Sequence, residues 1–278
     1  EALRELLESL PESDSLCYVI AQHVSPTHVS MLMNLLAPVT SLRVQDLMDK
    51  TVPEAGAVYI TPPNKDVILK DGQLRLFEPQ AAIGPKPSVS HFFLSLAEEL
   101  GEQSIGIILS GTGSDGASGI RAIKAAGGIS IAQEPETAKY DGMPKAAIHT
   151  GSIDLILPPT KIGPALERLS SLPREVSLAM AEVKEGDEYT QITNLVRTHA
   201  AFRLSDYKSA TVKRRIARRM GLVGIATLAQ YVDYMRENRE EAQLLIRDTF
   251  ISVTSFFRDP DAFNALERVI GEIVQKHE

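Results

Sequence analysis

Five short runs in the first 160 residues are apolar almost throughout: LCYVIAQ, AVYITPP, SIGIIL, ISIAQ and IDLIL. Between them lie stretches whose apolar residues recur at three and four, such as EALRELLESL, SVSHFFLSLAEEL and GASGIRAIKAA, with a helical stretch also expected over 28–36. A strand with no polar side must be buried on both faces, so helices have to cover both sides of a mainly parallel sheet. The pattern predicts a doubly wound α/β domain over residues 1–170. Within it, VILKDGQLRL reads as a hairpin, because Asp71-Gly72 supplies the positive φ angles of a two-residue turn. That hairpin is expected at an antiparallel edge of the sheet, and the helix KIGPALERL closes the domain.

The polar, acidic and weakly periodic residues 171–187 read as a linker. From 188 to 278 only helical periodicity remains, in ITNLVRTHAAF, VKRRIARRM, LAQYVDYM, AQLLIRDTFI and FNALERVIGEIV. Asp259-Pro260 starts the last of these with proline at the first helical position. The tail is therefore a small all-α domain. An apolar content of 44% suits packed cores, and a net charge of −7 argues against general affinity for nucleic acid. No apolar run reaches the 18 or so residues of a membrane-spanning helix, so no membrane insertion is expected. The single cysteine, Cys17, lies in an apolar run and reads as a buried, inert thiol; neither a disulfide framework nor a cysteine-based zinc site is available, and no metal site is expected.

Two positions carry candidate chemistry. LSGTGSDG, residues 109–116, follows one strand and opens a helix, and its glycines match the phosphate-binding fingerprint G-x-G-x-x-G. Glu134, 18 residues beyond Gly116, stands where a ribose-binding acid would. Against that, Asp115 would repel a pyrophosphate at the helix amides. Asp115 can alternatively cap the helix, or serve as a catalytic carboxylate. His23 stands just past another strand end, as a loop residue or as a base. Parallel strands bring such ends to one crevice. A histidine oriented by a carboxylate needs only a hydroxyl nucleophile to form a hydrolase triad.

IAQHVSP, AVYITPPNKDVIL, PSVSHFFLSLAEELG and the long stretch from GIILSGTGSDG to GSIDLILP together resemble the chemotaxis protein-glutamate methylesterase family, CheB, over about residues 1–170. The resemblance implies a doubly wound α/β hydrolase in which His23 is the general base and Asp115 its orienting acid. It also places the family's catalytic serine on a Gly-rich strand–turn–helix segment directly before EALREL, so this chain is expected to lack its nucleophile. Thr112 departs from the methionine usual in the family, and Ser25, Ser110 and Ser114 read as turn or capping residues.

In TVKRRIARRM, Val212, Ile216 and Met220 fall four apart, so one face of that helix is apolar and the opposite face is cationic. Residues 205–225 hold six basic residues and one acidic, a local charge of +5. The pattern alone leaves open a solvated face, a nucleic-acid helix or a dock for an acidic protein. SDYKSATVKRRIARRM, LAQYVDYM and FISVTSFFRDPDAF resemble the N-terminal helical domain of the chemotaxis receptor methyltransferase, CheR, over 188–278. That resemblance assigns Arg214, Arg215, Arg218 and Arg219 to an acidic receptor helix, and Thr254 and Arg258 to S-adenosylmethionine. Together the two resemblances imply a cytoplasmic CheB–CheR fusion acting on a methyl-accepting receptor, with no cofactor for the esterase half. The methyltransferase catalytic domain would follow Glu278. The alternative is a non-catalytic scaffold binding receptor helices or a signalling kinase.

Overall fold

The computed structural model describes residues 1–23, 32–79, 87–182 and 187–250, the side chains of 171–182 excepted. In chain order the first part comprises α1 (Ala2–Ser9), β1 (Tyr18–Ile20), α2 (Leu32–Leu36), β2 (Arg43–Asp46), β3 (Ala57–Ile60), β4 (Asp66–Lys70) and β5 (Gln73–Phe77). Then follow α3 (Val89–Leu100), β6 (Ile105–Ile108), α4 (Ala117–Ala125), β7 (Ile129–Gln133), α5 (Gly142–His149), β8 (Leu155–Leu157) and α6 (Pro159–Glu182). The tail is helical: α7 (Asp187–Ala200), α8 (Ser209–Val223), α9 (Leu228–Glu237) and α10 (Glu240–Phe250).

The apolar strands form two parallel three-stranded sheets, ordered β1-β3-β2 and β6-β7-β8. Their side chains alternate between two layers, as the pleat requires. Tyr59 faces α3, α4 and the hairpin, while Val58 and Ile60 face Leu7 of α1 and Leu36 of α2. Ile108 joins the first layer, and Ile131 packs with Ile162 and Leu166 of α6. Gly119 lets α4 lie hard against α3, since a Cβ there would stand 2.6 Å from Cβ of Phe93. That close approach brings the start of α3 beside the loop before α4.

Four details differ from the sequence reading. The hairpin β4-β5 turns at Asp71-Gly72 with positive φ at both, but it forms its own two-stranded sheet and not an edge of a parallel one. β2 was not anticipated: RVQD is short, mixed in polarity and exposed at both ends. The expected linker, a segment whose weak periodicity also admits partial helix, is helical as far as Glu182, where α6 ends. Cys17 is exposed, since it lies at the rim of an open groove between the two sheets.

The helical unit has its own core around Ile192, Ile216, Met220, Tyr231, Met235 and Leu245. Leu222 of α8 instead joins Ile129, Ile162 and Leu166, so α8 also packs on the α/β unit.

Candidate active site

Both candidate side chains sit past the C-terminal ends of strands. His23 follows β1 and Asp115 lies in the loop after β6, 92 residues away in sequence, yet His23 Nε2 stands 3.1 Å from Asp115 Oδ2. The carboxylate can only accept, so Nε2 carries the hydrogen, and in the neutral ring the lone pair is on Nδ1. The histidine side chain is 30% exposed and the aspartate 11%, so the pair has a solvent-facing side and a fixed side.

What fixes Asp115 is the start of α3. Ser88 caps that helix, and its own N–H donates to Asp66 Oδ1 at 2.7 Å. The next two amides, which have no partner within the helix, point at Asp115: Val89 N–H donates to Oδ2 at 2.8 Å and Ser90 N–H to Oδ1 at 3.0 Å. The amide of Gly116 adds a bond to Oδ1 at 2.8 Å. Burial pushes the Asp115 carboxyl up. The hydrogen bonds from His23, from the Ser90 and Val89 amides and from the Ser90 side chain outweigh it and hold the group well below the usual carboxylate range. It stays an anion, the state needed to stabilise an imidazolium.

The glycine loop is thereby accounted for. Asp115 does sit at a helix start, but at that of α3; the cap position of α4 is Gly116, which has no side chain to cap it. Gly116 has φ of 89°, and a Cβ there would stand 2.4 Å from Ile108 Cδ1. The loop amides serve protein acceptors: Gly111 N–H donates to Tyr140 O and Gly116 N–H to Asp115 and Ser90 Oγ. Those bonds leave the loop poorly suited to a pyrophosphate.

Sequence reasoning missed two supports. Fully buried Gln133, at the end of β7, accepts from Ser110 N–H at 2.8 Å and donates to Thr137, which fixes the start of the loop. A glutamine closing a buried, mainly apolar strand was the available signal. The role of the α3 start was signalled only by Ser88, three residues before His91. Of the serines weighed as substitutes, Ser110 Oγ accepts from Tyr140 N–H and Ser114 is exposed in the loop. Ser25, Thr254 and Arg258 lie outside the described residues.

A groove of about 1180 Å³ runs to His23, with Tyr18, Val19 and Ile20 of β1 along one side and Ile105, Ile107 and Ile108 of β6 along the other. Both are terminal strands of their sheets, so among the described residues two unpaired backbone edges flank it.

The arginines of α8 diverge. Arg214 is 54% exposed, whereas Arg215, Arg218 and Arg219 are 8–10% exposed. The open cationic face expected opposite Val212, Ile216 and Met220 is covered, because a second surface packs on it. Arg219 turns within the helical unit and makes two bonds to Glu241, at 2.8 and 2.7 Å, while Tyr231 Oη donates to the same carboxylate.

Two parallel sheets that bring a histidine–carboxylate pair together at the C-terminal ends of their strands form a framework able to support nucleophilic hydrolysis. The chain matches the CheB methylesterase family over residues 1–166 and the all-alpha domain of CheR methyltransferase over 187–249, and it belongs to the CheB methylesterase family, here joined to a CheR-type helical domain. A 104.1 kDa protein of Rhodobacter capsulatus is 36% identical over 267 residues, which cover 87% of this chain and 28% of that one. A protein-glutamate methylesterase/protein-glutamine glutaminase of Myxococcus xanthus is 34% identical across 61% of this chain and 50% of its own length. The crystal structure of the Thermotoga maritima CheB methylesterase catalytic domain matches with a TM-score of 0.57 and 31% identity, over 60% of this chain and 91% of that domain. The chain thus spans half or less of these two curated relatives. Among the described residues, no helix is long and apolar enough to cross a membrane.

Proposed function

We propose that the chain is part of a cytoplasmic chemotaxis-type signalling enzyme whose α/β half hydrolyses glutamate γ-methyl esters on a receptor. The observation that carries this reading is the His23–Asp115 contact, with the carboxylate held ionised at the start of α3. The nucleophile is a serine on a strand that precedes Glu1 in the longer protein. The groove between β1 and β6 supports this, because its two open edges suit one further strand and it leads to His23.

In that arrangement His23 Nδ1 takes the serine proton as Oγ attacks the ester carbonyl. Collapse of the tetrahedral intermediate expels methoxide, which takes the proton from His23 and leaves as methanol. The same nitrogen then deprotonates water, which attacks the acyl-enzyme, and the proton returns to the serine as glutamate is released. The imidazolium of each step is stabilised by Asp115. No step needs a cofactor. Without the serine this chain is inactive as an esterase.

The helical unit docks an acidic receptor helix through Arg214, Arg215 and Arg218. Arg219, assigned to the same face by resemblance, holds α8 to α10. In the longer protein a methyltransferase domain after Glu278 uses S-adenosylmethionine, with Thr254 and Arg258 contributing. Methanol release from methylated receptor tests the esterase half. A version extended upstream through the serine turn should release methanol, while this chain should not. Equal release would show another nucleophile; none from either would favour the non-catalytic scaffold.

A further inference from the structure

We propose that the basic face of α8 has an occupant within the same chain, the acidic N-terminal edge of the α/β unit, which an acidic partner helix must displace. This rests on the receptor-docking reading above and adds that the dock is closed at rest.

The observation is a buried quartet of charges. Lys124 of α4 and Asp154, just before β8, come from the α/β unit; Arg218 of α8 and Asp248 of α10 come from the helical unit. Their side chains are between 0 and 10% exposed. Each unit contributes one cation and one anion, and both cross-pairs are made. Arg218 Nη2 donates to Asp154 Oδ2 at 2.7 Å and Lys124 Nζ to Asp248 Oδ1 at 2.9 Å. Lys124 also pairs with Asp154 and Arg218 with Asp248. The rest of the Arg218 fork donates to two backbone carbonyls, Gly127 O at 3.1 Å and Gly128 O at 2.8 Å. Beside the quartet, Glu102 takes Arg214 at 2.8 Å and Arg215 at 3.6 Å.

Glu102 and Asp154 therefore stand where the carboxylates of an acidic helix would have to stand. A guanidinium committed to a fixed carboxylate and two carbonyls cannot serve a second helix without leaving them. Binding of the partner and docking of the two units exclude each other, so the apparent affinity falls by the fraction of chains that are open. Position gives the arrangement its meaning. Glu102, Gly127–Gly128 and Asp154 all precede strands, at the N-terminal edge of the sheet, whereas His23 and Asp115 follow strands at the opposite edge. The closed state leaves the esterase-type site open and covers the methyltransferase-type dock.

The test uses the whole chain and a glutamate- and alanine-rich helical peptide of about 20 residues, labelled for fluorescence anisotropy at low salt. Hydrogen exchange of α8 is followed in parallel. Glu102→Gln, on an exposed side chain, should tighten peptide binding about two- to fivefold. Asp154→Asn, which removes the α/β unit's anion from the quartet, should tighten it about tenfold or more, and both should speed exchange in α8. Unchanged exchange in both variants, or faster exchange with no gain in affinity, overturns the proposal. In the second case, loss of peptide binding on Arg214→Ala would leave the receptor-docking reading standing. If no variant binds the peptide, both readings fall together.

Discussion

Asp115→Asn isolates what the carboxylate contributes, because it keeps the shape and removes the charge. The native carboxylate accepts from three backbone amides, Val89, Ser90 and Gly116, and from His23. Each native oxygen accepts from two donors; with the NH2 group in place of Oδ2, His23 can switch tautomer and accept from it, but the Val89 amide is left without an acceptor, at about 1–3 kcal/mol. Loss of the charge beside the first turn of α3 adds about 0.5–1 kcal/mol. The variant should therefore be about 2–3 kcal/mol less stable near pH 7, read by urea unfolding with far-ultraviolet circular dichroism.

The pH dependence carries the sharper test. The folded carboxyl is held low, so the unfolded chain binds the proton first as pH falls. Its stabilisation is complete above the unfolded value of about 3.9 and is lost progressively below it, toward the folded value. At about pH 3 the wild-type chain should have lost about 1 kcal/mol that asparagine never had, and the gap between the two should narrow by that amount. Other carboxylates titrate in both proteins and cancel. A gap that is the same at both pH values, or no gap near pH 7, would mean that the start of α3 does not hold an anion.

Arg219→Ala strands the Glu241 carboxylate beside Tyr231 and should cost about 3–5 kcal/mol, read by urea unfolding of the chain; a loss under about 1 kcal/mol would refute its structural role. In the version extended through the serine turn, Asp115→Asn should lower methanol release by about 10⁴-fold, and retention of a tenth of the activity would remove Asp115 from the triad. Cys17 should react with a thiol reagent in the native chain, faster as pH rises because burial of part of the group pushes the thiol up. It should be protected in the extended version, where the groove it lines is filled, and equal labelling in both would place the extra strand elsewhere.

The apolar strands were legible because burial on both faces leaves few polar residues in the run: β3 and β7 are buried at every position. β2 was not, because an edge strand with Arg43 and Asp46 exposed shows no such run. His23 and Asp115 were legible as strand-end residues, but the amides that fix Asp115 belong to a helix 26 residues earlier and leave no local mark. The helical spacing of Val212, Ile216 and Met220 marked the side of α8 facing its own domain. It carried no information about the other side. Periodicity says what one core requires of a helix; it is silent on whether a second surface lies opposite, and charged residues there look solvated whether or not they are.

That silence matters because the second surface is made of charge. A buried quartet of two cations and two anions contributes little net stability, since desolvation offsets most of the Coulomb attraction; apolar side chains of similar volume would hold the two units together at least as well. What paired charges supply instead is register and exchangeability. Arg218 finds one place where a carboxylate and two carbonyls converge, and Lys124 must meet Asp248 in the same pose. Polyanion binding cannot offset the opening of a wholly apolar seam, whereas this one, once open, presents an acidic helix with the Arg218 guanidinium it would bind. Leu222 packs in addition on α6 and β7, so the seam also has an apolar part; the charged groups fix its register, and they are the part that a competing polyanion can take over.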